Sequence, residues 1–269
     1  MIIEQPYGAD VSYPVGAAPY PLFGTTATVA STALTAVARY QIGDRFSVHG
    51  GLRTQSLSGD IAITGGYALN VDASGDIGYL VGAAYEIPDI ALRVAVTYNS
   101  AIEQSLIGTE TGTGSLSLDV TLPQSVNLDF QSGIAEDTLL FGSVRWVEWT
   151  AFEVAPPFYV ANFGGDPLLS YDDDVFTYTL GVGRRFSDSF SGSISLAYEK
   201  SNGGFASNLS PKDGFFSGQV GGQYTKGNMK VSGGVRYVMV GDATTKPPVS
   251  GEFTGNSAIG VGMQIGFGF

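Results

Sequence analysis

Six arginines, Arg39, Arg53, Arg93, Arg145, Arg185 and Arg236, are scattered through a chain in which only 14% of residues are charged. A guanidinium is a planar, permanently charged fork that matches a carboxylate with two parallel hydrogen bonds. Arg53, Arg145 and Arg236 each follow a short turn signal by about eight or nine residues, so a ~3.3 Å rise on a strand tilted by ~40° lifts all three roughly 20 Å above it. The three are therefore candidate contacts for an anionic head group at a common level. Leu139, Phe141 and Val147 share the face of Arg145 by alternation and are candidates to hold an apolar tail. Glu86 and Asp129 fall on the same kind of face and are possible ion partners. An arginine–carboxylate network that only holds shape is the competing reading.

Other residues with chemical potential carry less. His49 is the only histidine, and it alternates onto the face of Ser47 and Arg53. A catalytic role would need a nucleophile and an orienting carboxylate beside it, and no GxSxG elbow exists. The chain is therefore expected not to be an enzyme. Asp172, Asp173 and Asp174 follow one another without the spaced pattern of a calcium loop, so they read as a solvated acidic loop and no metal is expected. The glycine pairs Gly50-Gly51, Gly65-Gly66, Gly203-Gly204 and Gly221-Gly222 precede no helix. They read as bends and close packing rather than phosphate cradles, and no cofactor is implied.

One connection stands out. Residues 155–173 hold Pro156, Pro157, Phe158, Tyr159, Val160, Phe163, Leu168 and Leu169, where a solvated loop would be polar. Exposed apolar surface of this kind marks a binding site or a membrane contact. Phe158, Tyr159 and Phe163 are candidates for first capture of a hydrophobic ligand, and self-packing across an opening is the alternative.

These residues must be positioned by β-structure. The 269 residues include 38 Gly, 14 Tyr, 16 Phe and no Cys, and the net charge is −12. Without cysteine there is no disulfide scaffold, thiol chemistry or thiolate metal site. The longest apolar run, Ile77 to Tyr85, is far short of the ~20 residues of a membrane helix. The negative charge opposes phosphate neutralisation, so no nucleic-acid partner is expected.

Period-two alternation gives about twelve strand candidates: 2–13, 26–40, 45–64, 76–87, 89–109, 116–134, 138–154, 174–186, 189–202, 214–226, 228–243 and 256–269. The last is the clearest. Ile259, Val261, Met263, Ile265, Phe267 and Phe269 occupy one face, while Gly260, Gly262, Gln264, Gly266 and Gly268 occupy the other. Short turns at Gly43-Asp44, Pro88-Asp89, Glu136-Asp137, Ser187-Asp188 and Gly227-Asn228 alternate with longer loops at 14–25, 65–75, 110–115, 155–173, 203–213 and 244–255. Tyr40, Tyr85, Phe186 and Tyr224 precede short turns and form an aromatic rim.

The small-residue face lacks the Lys and Glu expected of a soluble sandwich. A lipid-facing apolar face with a small, polar lumen face instead describes an all-β, transmembrane antiparallel β-barrel, closed because lipid offers no partner to backbone groups. The first and last strands should then meet, or a gap should remain between them.

Several segments, in order, resemble the FadL-type long-chain fatty-acid transporter family of Gram-negative outer membranes. The most specific is Thr121-Leu122-Pro123-Gln124-Ser125, followed after a turn by Val144-Arg145-Trp146-Val147-Glu148-Trp149-Thr150-Ala151-Phe152. Gly82 to Glu86, Ala95 to Ser100 and Gln5 to Asp10 support it. The resemblance implies a fourteen-strand barrel preceded by a signal peptide and a lumen-plugging hatch. Met1-Ile2-Ile3-Glu4 shows neither, so residues 1–269 read as a single barrel domain, truncated at the N-terminus. It further implies a monomer in outer-membrane lipid that passes hydrophobic small molecules, most of all long-chain fatty acids, without a cofactor. A structural or adhesive barrel, or a general polar porin, is the alternative.

Overall fold

The computed structural model describes residues 1–15, 21–73, 75–247 and 249–268. The chain is almost entirely strand. It begins with β1 (Ile2–Glu4), β2 (Gly8–Ser12), β3 (Thr26–Ile42) and β4 (Phe46–Ile63). Three long passages follow, each in two pieces: β5 (Tyr67–Ala73) with β6 (Asp76–Ile87), β7 (Leu92–Asn99) with β8 (Ile102–Glu110), and β9 (Gly114–Leu122) with β10 (Ser125–Ala135). Next come β11 (Thr138–Val147), β12 (Glu153–Val154), the short helix α1 (Pro157–Asn162), β13 (Leu169–Ser170), β14 (Val175–Arg185), β15 (Phe190–Glu199) and β16 (Phe205–Ala206). The chain ends with β17 (Phe215–Lys226), β18 (Met229–Val240), β19 (Ala243–Thr245), β20 (Glu252–Phe253) and β21 (Ser257–Phe267).

The long strands form one antiparallel wall in which each passage pairs with the next in sequence. All five short-turn signals connect neighbouring strands. At Glu136-Asp137 the turn is so tight that Asp137 takes a left-handed φ of 56°, a conformation aspartate tolerates better than most residues. Its carboxylate there accepts the Arg185 Nε–H at 2.8 Å. Among the described residues β21 pairs only with β18, and β1 and β2 pair only with β3. The wall is therefore an open barrel with one seam; residue 269 lies outside the described part.

Alternation carries through to the faces. Leu180, Ile194, Val220, Val235 and Val261 are exposed outward, while Ser47, Gln55, Ala84, Ala95 and Ser217 are buried inward. Outward aromatics form two belts. Tyr40, Phe46, Phe186, Phe190, Tyr224 and Phe267 lie near the short turns, and Tyr79, Tyr178, Tyr198, Phe216 and Tyr237 lie nearer the far end. Tyr178 and Phe186, or Tyr198 and Phe190, are about eight residues apart, roughly 20 Å along the axis, which fits the ~25 Å apolar band of a transmembrane barrel.

Beyond the far belt the wall inverts. In β5, β8 and β9 the inward residues are large and apolar, namely Tyr67, Leu69, Val71, Leu106, Leu116, Leu118 and Val120. The outward ones are mostly polar: Asn70, Asp72, Glu103, Ser117 and Asp119 are exposed, with Ile107 the large apolar exception. The switch happens at the breaks between paired pieces. Asn99 faces Ser125 and Ile102 faces Leu122, so pairing keeps one register across Ser100-Ala101 and Pro123-Gln124. The inward set nevertheless changes from odd to even numbers. Pro123 has no N–H to give a ladder, and the Ser100 hydroxyl accepts the Tyr79 N–H at 2.9 Å in place of a carbonyl. Gly78 makes room here, since a Cβ on it would lie 2.6 Å from Ile102.

Three expectations are corrected. Residues 67–73, read as loop, form β5, because their alternation belongs to the inverted region. Strands 2–13, 89–109 and 116–134 are each broken. The strand over 138–154 ends at Val147, where Trp149–Ala151 turns as a single 3-10 turn toward the mouth.

Candidate ligand-binding lumen

The loops of the far end fold over the opening. Helix α1 lies against the inverted sheet, where Glu110, only 3% exposed, holds it. The Phe158 and Tyr159 N–H groups donate to the Glu110 carboxylate at 3.1 and 2.9 Å, and the Tyr67 hydroxyl donates at 3.1 Å. These are N–H groups that a helix start leaves without intrahelical partners, here capped by a carboxylate from another element. The Tyr159 and Phe163 rings stack at 4.9 Å, and both meet Tyr67 edge-on. The Phe158 ring crosses Gly112, where any side chain would collide with it. Burial holds the Tyr159 hydroxyl above its ordinary pKa, so it stays protonated. Leu168 and Leu209 join the same apolar cluster. From the opposite wall, β16, β19 and β20 form a small sheet. Lys246 reaches Asp172 at 3.1 Å, and Tyr13 donates to the Asn208 carbonyl at 2.6 Å. The mouth is thus capped by an apolar core.

Beneath the cap lies a cavity of about 280 Å³, lined among others by Glu4, Tyr7, Arg53, Gln55, Asn127 and Arg145. Arg53 pairs with Glu4 and donates to the Thr35 hydroxyl at 3.0 Å. Arg145 donates at 2.9 Å to the neutral Asn127 amide oxygen, and no carboxylate pairs with it among the described residues. Gln55 is 1% exposed and its side-chain Nε2 has no hydrogen-bond partner. The cavity therefore offers an unneutralised guanidinium and a buried amide donor, a combination suited to an anion. Toward the short turns a wider cavity of about 1360 Å³ opens, lined by Ser191, Ser193, Gln219, Gln223, Gln264 and Arg236 among others.

No family model matches the chain, and no curated protein matches it. Solved structures do. A Pseudomonas aeruginosa FadL homologue aligns with a TM-score of 0.73 at 14% identity, covering 98% of this chain and 72% of the other. The Pseudomonas putida toluene transporter TodX gives 0.64 at 10% identity, over 99% and 78%. The CymD monoaromatic hydrocarbon channel gives 0.59 at 14%, over 98% and 78%. The chain has the FadL-type barrel fold. At such identities the likeness speaks for the fold, and the site must be read from this chain's own residues.

On that fold the six arginines all face inward, as alternation indicates, but they do not act as one group. Arg53 and Arg145 line the small cavity, whereas Arg236 faces the wide one, where it donates to the Ser217 hydroxyl at 3.0 Å and sits 5.2 Å from the Phe215 ring centroid. The common level inferred from turn spacing is therefore corrected: tilt and stagger of the strands separate residues with equal counts from their turns. Glu86 bridges Arg39 and Arg93 at 3.0 and 2.9 Å, as an internal network would. Asp129 makes no ion pair among the described residues.

Leu139, Phe141 and Val147 do not gather around Arg145. Leu139 lines the wide cavity, the Phe141 ring lies over Gly181, and Val147 is buried. Phe158 and Tyr159 are half-buried in the cap and Phe163 is exposed, so self-packing across the mouth accounts for most of that connection. His49 shares a 3.0 Å hydrogen bond with Thr97. Sequence reasoning missed Tyr7, Gln55 and Glu110. Gln55 alternates in phase with Arg53, a signal that was available, whereas Glu110 sits inward only because of the inversion.

Proposed function

We propose that this protein is a passive channel of the bacterial outer membrane for hydrophobic compounds, and that amphiphilic acids, long-chain fatty acids foremost, are its cargo. The observation that carries this reading is the arrangement of the mouth: an apolar core directly above a cavity with an unneutralised Arg145 and an unpartnered Gln55 amide. A general porin keeps a continuous wet path, which this core interrupts. TodX and CymD are described as carrying neutral aromatic hydrocarbons; a guanidinium facing only a neutral amide favours a carboxylate instead. The chain carries no chemistry in this reading. It binds, shelters and releases, works as a monomer surrounded by lipid, and uses no cofactor.

The test is equilibrium binding and proteoliposome uptake of a labelled long-chain fatty acid, compared with the alcohol of equal chain length and with a small sugar. The acid is expected to bind about tenfold tighter than the alcohol, matching one charge-assisted hydrogen bond. Passage of the sugar without binding of the acid would replace this reading by that of a porin.

A further inference from the structure

We propose that Tyr7 is the gate between the apolar cap and the arginine cavity, and that it sets the girth of what passes. Three side chains belong both to the cap cluster and to the cavity wall: Tyr7, Ile102 and Leu122. They are the partition between the two spaces. Ile102 and Leu122 face each other across the β8–β9 ladder, so their backbones are fixed by regular pairing. Tyr7 is different. Glu4 faces Ala33 while Gly8 faces Ala30, so three residues, Gln5, Pro6 and Tyr7, oppose two. This bulge takes Tyr7 out of the ladder.

A single side chain replaces what the ladder would have supplied. The Ser31 hydroxyl accepts the Tyr7 N–H at 2.9 Å and donates to the Tyr7 carbonyl at 2.7 Å. Its ring then meets Trp149 edge-on, with centroids 6.0 Å apart and planes at 80°. Trp149 follows β11, on the far side of the lumen from β1 and β2, so the contact spans the interior. Trp149 is itself braced by Tyr171 at 5.0 Å and Phe152 at 5.9 Å. Of the three partition residues, Tyr7 alone has a backbone outside the strand ladders, held by the two Ser31 hydrogen bonds, and a ring large enough to reach Trp149 across the interior. A narrow chain slips past a small rotation of the ring; a branched or fused-ring molecule needs the ring displaced.

The proposal rests on the transport reading, and two measurements separate their failures. The first is proteoliposome uptake of a straight-chain fatty acid and of a bulky, branched or polycyclic acid. Tyr7→Ala should raise uptake of the bulky acid about tenfold or more while changing the straight chain little, as expected of a lid that limits passage. Tyr7→Phe should restore the wild-type ratio, because the ring edge and not the hydroxyl meets Trp149. Ser31→Ala should move the ratio in the direction of Tyr7→Ala. Where the wild type takes up the straight-chain acid, equal change for both acids, or none, overturns the gate.

The second needs no transport. In a Trp146→Phe background, Trp149 is the only indole and reports the partition. Nitroxide quenchers of graded size, added from water, should reach it in the wild type only when small, and in Tyr7→Ala when large as well. Unaltered size dependence in folded Tyr7→Ala protein overturns the gate, even if no hydrophobic compound is carried. If quenching follows the expectation and uptake is absent throughout, the gate stands and the transport reading falls.

Discussion

Arg145 is a guanidinium facing a neutral amide in a cavity whose other arginine already has a carboxylate. A charge-assisted hydrogen bond to a ligand carboxylate contributes roughly 1.5–3 kcal/mol. Arg145→Ala should therefore weaken fatty-acid binding about tenfold or more and leave the alcohol of equal length nearly unchanged. Equal losses for both, measured by calorimetry, would make Arg145 a wall residue. Arg53→Ala differs, because it strands Glu4 and should cost stability as well as affinity. At Gly78 the argument is steric. Because a Cβ would lie 2.6 Å from Ile102, Gly78→Val should lower the unfolding midpoint and disturb the cavity rim, visible as a loss of ligand binding. Arg53 and Arg145 were legible from alternation. Their separation from Arg236 was not, because the stagger between strands is a property of the assembled sheet.

The element that closes the mouth hangs on one carboxylate. Glu110 takes two backbone N–H groups of α1 and the Tyr67 hydroxyl. Glu110→Ala leaves those donors without their acceptor in a buried place, at roughly 1–3 kcal/mol for each group that finds no substitute. The expected outcome is local: amides of residues 158–163 exchange faster with deuterium while β14, β15, β17 and β18 keep their protection. Uniform loss of protection would mean that the cap is part of one cooperative unit with the wall. The apolar character of 155–173 was plain in the sequence. Its role as a packed strap depended on the inward aim of Tyr67, Leu69 and Glu110. Tyr67 and Leu69 inherit that aim by pairing with Ile63 and Ile61 of β4, and Glu110 gains it from the parity switch at Ser100-Ala101, which has no conspicuous local signal.

Across the whole molecule, the outer-membrane reading proposed above makes the two aromatic belts and the inversion above the far one the boundary of what meets lipid. Because the chain has no cysteine, single cysteines can map this boundary without background. Asp72→Cys and Ser117→Cys, on the polar outer face of the cap, should react with a membrane-impermeant maleimide in whole cells. Val220→Cys, on the apolar band, should not; rapid labelling there would place it in water. The five tight turns were readable from their Gly, Pro, Asp and Asn signals, and the meander and outward apolar set from period-two alternation, since a one-residue slip would expose the wrong face along a whole strand.

The inversion also orders events in time. Leu69, Leu106, Leu116 and Leu118 point inward from strands that hold no lipid-facing side, so they find partners only when neighbouring passages are paired and the strap has crossed above them. Below, in the membrane setting proposed above, the outward residues would take their surroundings from the bilayer. On that reading the wall condenses against lipid and the cap against protein, in two solvents. Unfolding runs the sequence backwards: in a urea titration, the aromatic signal of the strap should disappear at lower denaturant than the strand signal of the wall.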